Sequence, residues 1–235
     1  MKSYWYQHKN IGDTLTPIIV EHFTGQKVEC VDRKTHGKLL AVGSIMSALT
    51  YRDVVWGAGV MRETDKFPLA KYAKFLAVRG KLSEKILGVE VGVYGDPALL
   101  LPLIYNPKIE KKYDVGYIPH YVDTPFFPGI INVMDNPKYQ IIDVLKPWKE
   151  FIDKVLECKT IVSSSLHGVI IAEAYGIPAK WEVYSNKVIG NGFKFRDYLT
   201  GTGREEQGPG EFPPIKNLVE IQANLINSLM KHYGK

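Results

Sequence analysis

The chain has 235 residues, 45% of them hydrophobic and 23% charged, with a formal net charge of +5. That balance belongs to a folded protein with a core of its own and excludes an extended disordered chain. The modest positive charge favours acidic small ligands or an anionic membrane surface, and is too weak and too dispersed to make nucleic acid a partner.

Two cysteines, Cys30 and Cys158, have no neighbours at metal-ligand or redox-motif spacing, so a reduced, cytoplasmic setting is expected and no metal site is. The first residues, Met1-Lys2-Ser3-Tyr4-Trp5-Tyr6, lack the apolar core of a signal peptide. No apolar run nears the roughly 20 residues that span a bilayer.

Short apolar strands alternate with helical stretches, the pattern of an α/β chain with mostly parallel sheets. Residues 4–6 form the expected first strand, and Asn10-Ile11-Gly12-Asp13 turns into a helix over about 14–23. Strands follow at 39–42, at Val54–Trp56 and at 74–78, each ending in a glycine turn: Gly43-Ser44, Gly57-Ala58-Gly59 and Arg79-Gly80. A short helix at 82–87 precedes residues 91–94, then Gly95-Asp96-Pro97 and an apolar run to Leu103.

Tyr105-Asn106-Pro107 and the charged stretch to Lys112 read as a break. The pattern then restarts, with strands at 114–118 and 130–133 and a helix at 147–158 with Pro147 in its first turn and one apolar face. A strand at 160–163, a helix at 166–175 and a strand at 179–183 come next. A Gly/Pro-rich loop at 200–214 leads to an amphipathic helix at 215–233. Two half-chains of similar size, 1–107 and 108–235, therefore predict two Rossmann-like lobes with a central cleft, the terminal helix packing back on the first lobe. In such sheets ligands bind beyond the carboxyl ends of the strands.

The turn Ser163-Ser164-Ser165-Leu166-His167-Gly168 carries the most chemistry. It places three hydroxyls and an imidazole at a helix N-terminus, where free N–H groups and the dipole favour an anion. His167 can bind a phosphate or move a proton; alternatively the serines cap the helix and His167 meets a carbonyl. Gly168 allows close approach. Glu173-Ala174-Tyr175-Gly176-Ile177-Pro178 is similar to the Glu-Ala-x-x-Gly-x-Pro of two-lobed nucleotide-sugar glycosyltransferases, a resemblance that implies a ribose contact for Glu173; alternatively Glu173 is a structural acceptor within a packed helix.

Asp13 is an N-cap, or it accepts a proton or holds a sugar hydroxyl from the N-terminal lobe. Arg79, leaving an apolar strand, pairs with an internal carboxylate or an anionic ligand. His120 is a loop histidine or a substrate contact. Lys194, in Lys194-Phe195-Arg196-Asp197-Tyr198, begins a charged surface helix or acts as a clamp over the cleft. Gly57-Ala58-Gly59 lacks the third glycine and distant acid of a dinucleotide fingerprint.

Taken in order and spacing, Asn10-x-Gly12-Asp13, Trp56-Gly57-Ala58-Gly59, Val78-Arg79-Gly80, Gly95-Asp96-Pro97-Ala98-Leu99-Leu100, Ser165-Leu166-His167-Gly168 and Ala172-x-x-x-Gly176-Ile177-Pro178 resemble the polysaccharide pyruvyl transferase family. The resemblance is to its branch that forms pyruvyl ketals in bacterial exopolysaccharides and capsules. It implies a fold similar to the GT-B glycosyltransferases, with an N-terminal acceptor lobe and a C-terminal donor lobe. It implies phosphoenolpyruvate as co-substrate with no further cofactor, and a glycan acceptor, often lipid-linked, met at the inner face of the membrane.

Many members carry an arginine before Leu-His-Gly. Here that residue is Ser165, so Arg79, Lys194 or the helix N-terminus must supply the positive charge. On this resemblance His167 is the general acid or phosphate ligand, Asp13 the base, Arg79 the donor anchor and Ser163, Ser164 and Ser165 the anion-binding turn. Leu166, Gly168, Asn10, Gly57, His120, Glu173 and Lys194 are further substrate-binding candidates. The competing expectations are a GT-B-type glycosyltransferase using a nucleotide sugar, against which Ser165 stands where those enzymes often carry an acid, and a non-catalytic scaffold of a glycan-assembly complex.

Overall fold

Apolar runs of two to six residues settle into two sheets in the computed structural model, which describes residues 1–7, 10–126 and 136–234. The first contains β1 (Lys2–Ser3), β2 (Glu29–Cys30), β3 (Leu39–Leu40), β4 (Val54–Trp56) and β5 (Lys74–Ala77) in the order β2-β1-β3-β4-β5, all parallel. Helix α1 (Ile11–Thr24) connects β1 to β2, and α2 (Lys81–Leu87) follows β5. Leu39, Leu40, Val55, Trp56 and Ala77 are fully or almost fully buried, as strands of a parallel sheet covered on both faces must be.

The second sheet contains β6 (Tyr113–Ile118), β7 (Tyr139–Ile141), β8 (Cys158–Ser163), β9 (Ala179–Trp181) and β10 (Gly210–Glu211), ordered β10-β9-β8-β6-β7 and parallel except for β10. Helix α3 (Trp148–Leu156) turns Phe151, Ile152 and Val155 to the core. Every residue of α4 (Leu166–Ala174) is buried, which requires a helix apolar nearly all round. Helices α5 (Phe193–Gly201) and α6 (Leu218–Tyr233) complete the chain.

The core is continuous between the halves. Leu99, Leu100 and Leu101 of the first half, Val169 and Ile170 of α4, and Ile221, Leu225 and Leu229 of α6 belong to one buried cluster. Trp56 Nε1 donates to the Leu225 carbonyl at 2.9 Å and Gln222 Nε2 to the Leu99 carbonyl at 2.8 Å, fixing α6 against the first sheet. Among the described residues no helix is long and apolar enough to cross a membrane.

Several elements differ from the sequence reading. The first strand lies at Lys2–Ser3, not 4–6; Tyr4 still donates its N–H to the Leu39 carbonyl, but its ring then meets Tyr6 edge-on and the chain leaves the sheet. The strands β2, β7 and β10 are two or three residues long and too short to show a hydrophobic pattern. The expected strand at 130–133 lies outside the described residues. The helix beginning near Lys194 is not a surface helix: Phe193, Lys194, Phe195, Asp197, Tyr198 and Leu199 are all buried.

The strand orders determine where a site can form. In the first sheet β2 and β3 lie on opposite sides of β1, so the order reverses beside β1. In the second, β7 and β8 lie on opposite sides of β6. Crevices at such reversals, beyond the carboxyl ends of the strands, are where open parallel sheets bind ligands.

Candidate active site

Both reversals open onto one cavity of about 260 Å³. From the first half it receives Tyr6, Asn10 and Asp13 after β1, and Gly43 and Ser44 after β3. From the second it receives His120 and Tyr121 after β6, Ser165, Leu166 and His167 after β8, and Lys194 on α5. Asn10 is the N-cap of α1 and Ser165 that of α4; neither side chain makes a capping hydrogen bond. The two helix N-termini thus converge on the same space, each bringing a positive dipole end; at α1 the Ile11 N–H already donates to the Val144 carbonyl at 2.7 Å and the Asp13 N–H to the Asn10 carbonyl at 3.0 Å.

His167 is held on two sides. A Cβ at position 12 would stand 2.0 Å from its Nδ1, so only glycine lets the imidazole lie against the start of α1. The opposite nitrogen, Nε2, is buried 3.6 Å from Asp96 Oδ2, inside ion-pair range but beyond a hydrogen bond.

Lys194 is 8% exposed and makes no hydrogen bond and no ion pair within 4 Å among the described residues. Burial, and then the Arg79 charge, push its ammonium pKa down to about 8, against partial support from Asp13 and Asp123. Its neighbour His120 is driven to about 3 by burial, by Lys194 and by His167. His120 is therefore neutral at physiological pH, and its Nδ1 accepts the Val122 N–H at 3.4 Å. A desolvated cation without a counterion, beside a neutral imidazole and two helix N-termini, is a site for an anion.

Three sequence candidates lie behind the wall rather than on it. Arg79 is fully buried, with Nε donating to Asp197 Oδ2 at 2.9 Å, Nη1 to Ser44 Oγ at 2.5 Å and Nη2 to the Val60 carbonyl at 2.6 Å. Asp197 also accepts from the Ser83 N–H and hydroxyl. The internal-carboxylate reading of Arg79 is the one the geometry matches. Since Asp197 lies one turn after Lys194 on α5, the pair orients that helix and, through Ser44, one wall of the cavity. Arg79→Met strands the buried Asp197 carboxylate, and a loss of about 3–5 kcal/mol is expected in urea unfolding. An unchanged midpoint would show that the ion pair does not secure α5.

Ser163 Oγ donates to the Ile118 carbonyl at 2.8 Å and accepts the Ser165 N–H. Ser164 Oγ donates to Asp123 Oδ2 at 2.6 Å and accepts the His120 N–H. These two serines join the end of β6 to the end of β8, and only Ser165 of the three lines the cavity.

Glu173, Gly168 and Gly57 are likewise internal. Glu173 accepts from both Arg204 Nη atoms and from the Tyr198 hydroxyl, so its carboxylate is fully engaged away from the cavity. A Cβ at Gly168 would meet Ser163 Oγ at 2.4 Å, which is a requirement of packing α4 on β8 and β6. Gly57, at φ +85°, would meet Pro97 Cδ at 2.3 Å and so admits the Asp96-Pro97 turn. Asp96 escaped the sequence reading as a site residue, having been noted only as part of a motif; Tyr6, Ser44 and Tyr121 gave no chemical signal of their own.

A second cleft of about 550 Å³ adjoins the cavity. Its lining includes Trp181, Asn186, Asn191 and Arg196, and Ile189 belongs to both spaces. Trp181 stacks on Phe195 with ring centroids 4.4 Å apart.

The family model for polysaccharide pyruvyl transferases matches residues 27–186, a span that carries Gly57, Arg79, Asp96, His120 and His167. The chain is 31% identical over 214 residues to an uncharacterized protein, L143, of Acanthamoeba polyphaga mimivirus, covering 86% of this chain and 74% of that one. It is 25% identical over 217 residues to the succinoglycan biosynthesis protein ExoV of Rhizobium meliloti (strain 1021), covering 86% of this chain and 65% of ExoV. It therefore spans just under two thirds of the length of ExoV.

Proposed function

The chain belongs to the polysaccharide pyruvyl transferase family, and on that premise we propose that it moves pyruvate from phosphoenolpyruvate onto two hydroxyls of a glycan sugar, closing a cyclic ketal and releasing phosphate. The observation that supports this reading is the cavity in which Lys194 and His167 meet two helix N-termini. It offers positive potential for a doubly anionic donor and a proton carrier within the same small space. At about 260 Å³ it has room for a three-carbon donor. Glu173, the residue a ribose would need, is already held by Arg204 and Tyr198.

In this mechanism the donor's phosphate and carboxylate take the Lys194 ammonium and the N–H groups at the start of α4, beside the positive dipole end of α1. His167 gives a proton to the donor's methylene carbon, and the neighbouring carbon becomes electrophilic. One sugar hydroxyl adds there and passes its proton to Asp13. The C–O bond to phosphate then breaks, and the departing phosphate takes the proton that Asp13 had accepted, which restores Asp13. The second hydroxyl closes the ring, and its proton restores His167. Positioned proton transfer of this kind contributes typically ~10²–10⁴-fold.

The acceptor sugar, carried on a lipid-linked glycan, occupies the adjoining cleft. There Trp181 and Ile189 offer apolar surface, and Asn186, Asn191 and Arg196 offer hydrogen bonds to hydroxyls. Incubation with phosphoenolpyruvate and a panel of lipid-linked and synthetic glycosides, read by mass spectrometry, tests the reading. A ketal product with release of inorganic phosphate is expected. Transfer of a sugar from a nucleotide donor, with no pyruvylated product, would contradict it.

A further inference from the structure

We propose that Asp96 is a positioning residue that sets which nitrogen of His167 carries the proton. Asp96 is fully buried and His167 is 8% exposed. Asp96 Oδ2 and His167 Nε2 are 3.6 Å apart, and both are among the buried side-chain atoms without a hydrogen-bond partner in the described residues. Two orphaned atoms facing each other, one a carboxylate oxygen and one a ring nitrogen, are both satisfied by a single proton between them. A contraction of about half an ångström makes that hydrogen bond, and such contacts commonly tighten once substrate binds.

The carboxylate is not free to turn elsewhere. Its Oδ1 accepts the Ala98 N–H at 3.0 Å as the cap of the 3₁₀ turn Pro97–Leu103. Pro97 fixes the backbone at the first position of that turn, and Gly57 lets the proline ring approach β4. The imidazole is equally constrained, with its Nδ1 edge against Gly12.

The consequence for the proposed reaction is direct, and this part of the inference rests on the reading of His167 as proton donor. When neutral, His167 carries its proton on buried Nε2 and leaves Nδ1, the edge beside Gly12, as the accepting nitrogen. When Nδ1 is protonated, Asp96 stabilises the resulting imidazolium. Asp96, Asp13, His120, Lys194, Tyr6 and Tyr121 are the titratable groups that surround the ring from the elements packed about it. Among the described residues, Asp96 is the carboxylate within 4 Å of Nε2.

The test is nitrogen-15 NMR of the ligand-free protein, with His167 assigned by comparison with His167→Gln. The expected result is the Nε2–H tautomer in the wild type. Asp96→Asn keeps the cap through its amide oxygen and turns an N–H toward Nε2. It is therefore expected to switch His167 to the Nδ1–H tautomer. In the transfer assay it is expected to cut kcat at neutral pH by about 10²–10⁴-fold while the donor KM moves less than about threefold, and to change the kcat–pH profile. An Nδ1–H tautomer in the wild type overturns the proposal without any variant. A variant that melts earlier but keeps the tautomer and the pH profile overturns it too, since that is what a purely structural carboxylate would do. The predicted tautomer in a protein that pyruvylates nothing leaves Asp96's role standing and removes the reading of the reaction instead.

Discussion

His167→Gln is expected to fold like the wild type and to lose about 10²–10⁴-fold in kcat for pyruvyl transfer, the range for a positioned proton donor. Glutamine keeps a polar side chain of similar reach at the start of α4 and opens no large void. Every other wall of the cavity remains, including Lys194 and both helix N-termini. The donor should still bind, because the groups proposed to hold its anions are untouched, so the loss falls on kcat and leaves the donor KM within about threefold. Product mass and phosphate release measured over a donor titration separate the two parameters, and circular dichroism checks the fold. A kcat within about threefold of wild type would show that the imidazole carries no proton in the rate-limiting chemistry.

The second large effect concerns Lys194 and has a defined pH window. Burial and Arg79 lower its pKa to about 8, so its ammonium is present below that pH and is lost above it. The donor KM is accordingly expected to be flat below pH 8 and to rise about tenfold per unit beyond the pKa of the free enzyme. Lys194→Met should raise KM by about thirtyfold or more, the equivalent of the roughly 2–5 kcal/mol lost when one member of a desolvated charge pair is removed, and should abolish the pH dependence. Lys194→Arg keeps its charge throughout this range and should remove the limb near pH 8 while retaining donor binding.

Stability moves the other way. With the folded pKa below that of the unfolded chain, the unfolded state binds more protons between about pH 8 and 10.5, so stability rises with pH across that window. At pH 7 the charged lysine is a cost to the empty protein, and Lys194→Met should melt at a higher temperature than the wild type. A methionine variant that is less stable and binds the donor unchanged would mean that the lysine serves packing alone.

How far the site was legible depended on the distance between partners along the chain. The His167 turn and the Asn10–Asp13 start of α1 stand out because each joins a strand to a helix within a few residues, and strand ends of this class hold ligands. Val54–Trp56 was placed at its observed limits because an apolar triplet between turn residues leaves little else to form. Arg79 shows the limit of such reading. An arginine at the end of a buried strand must find an anion, but nothing near it names Asp197, which comes more than a hundred residues later on another helix. Asp96 failed for the same reason, since its facing atom belongs to α4.

From the sequence, Lys194 reads either as the start of a charged surface helix or as a basic clamp over the cleft, and nothing nearby chooses between them. The helix is instead wedged between the halves, so the aromatics pack and the lysine is desolvated. Short strands such as β2 and β10 are held by backbone pairing to neighbours, a constraint with no trace in residue type.

Calorimetric titration of the wild-type protein and Lys194→Met with phosphoenolpyruvate, UDP and GDP at pH 7 tests most directly whether the space between the two sheets is a small-anion site. Saturable heat with phosphoenolpyruvate, abolished in the methionine variant and absent with either nucleotide, is the predicted result. Saturable heat with UDP or GDP, with none from phosphoenolpyruvate, would contradict it.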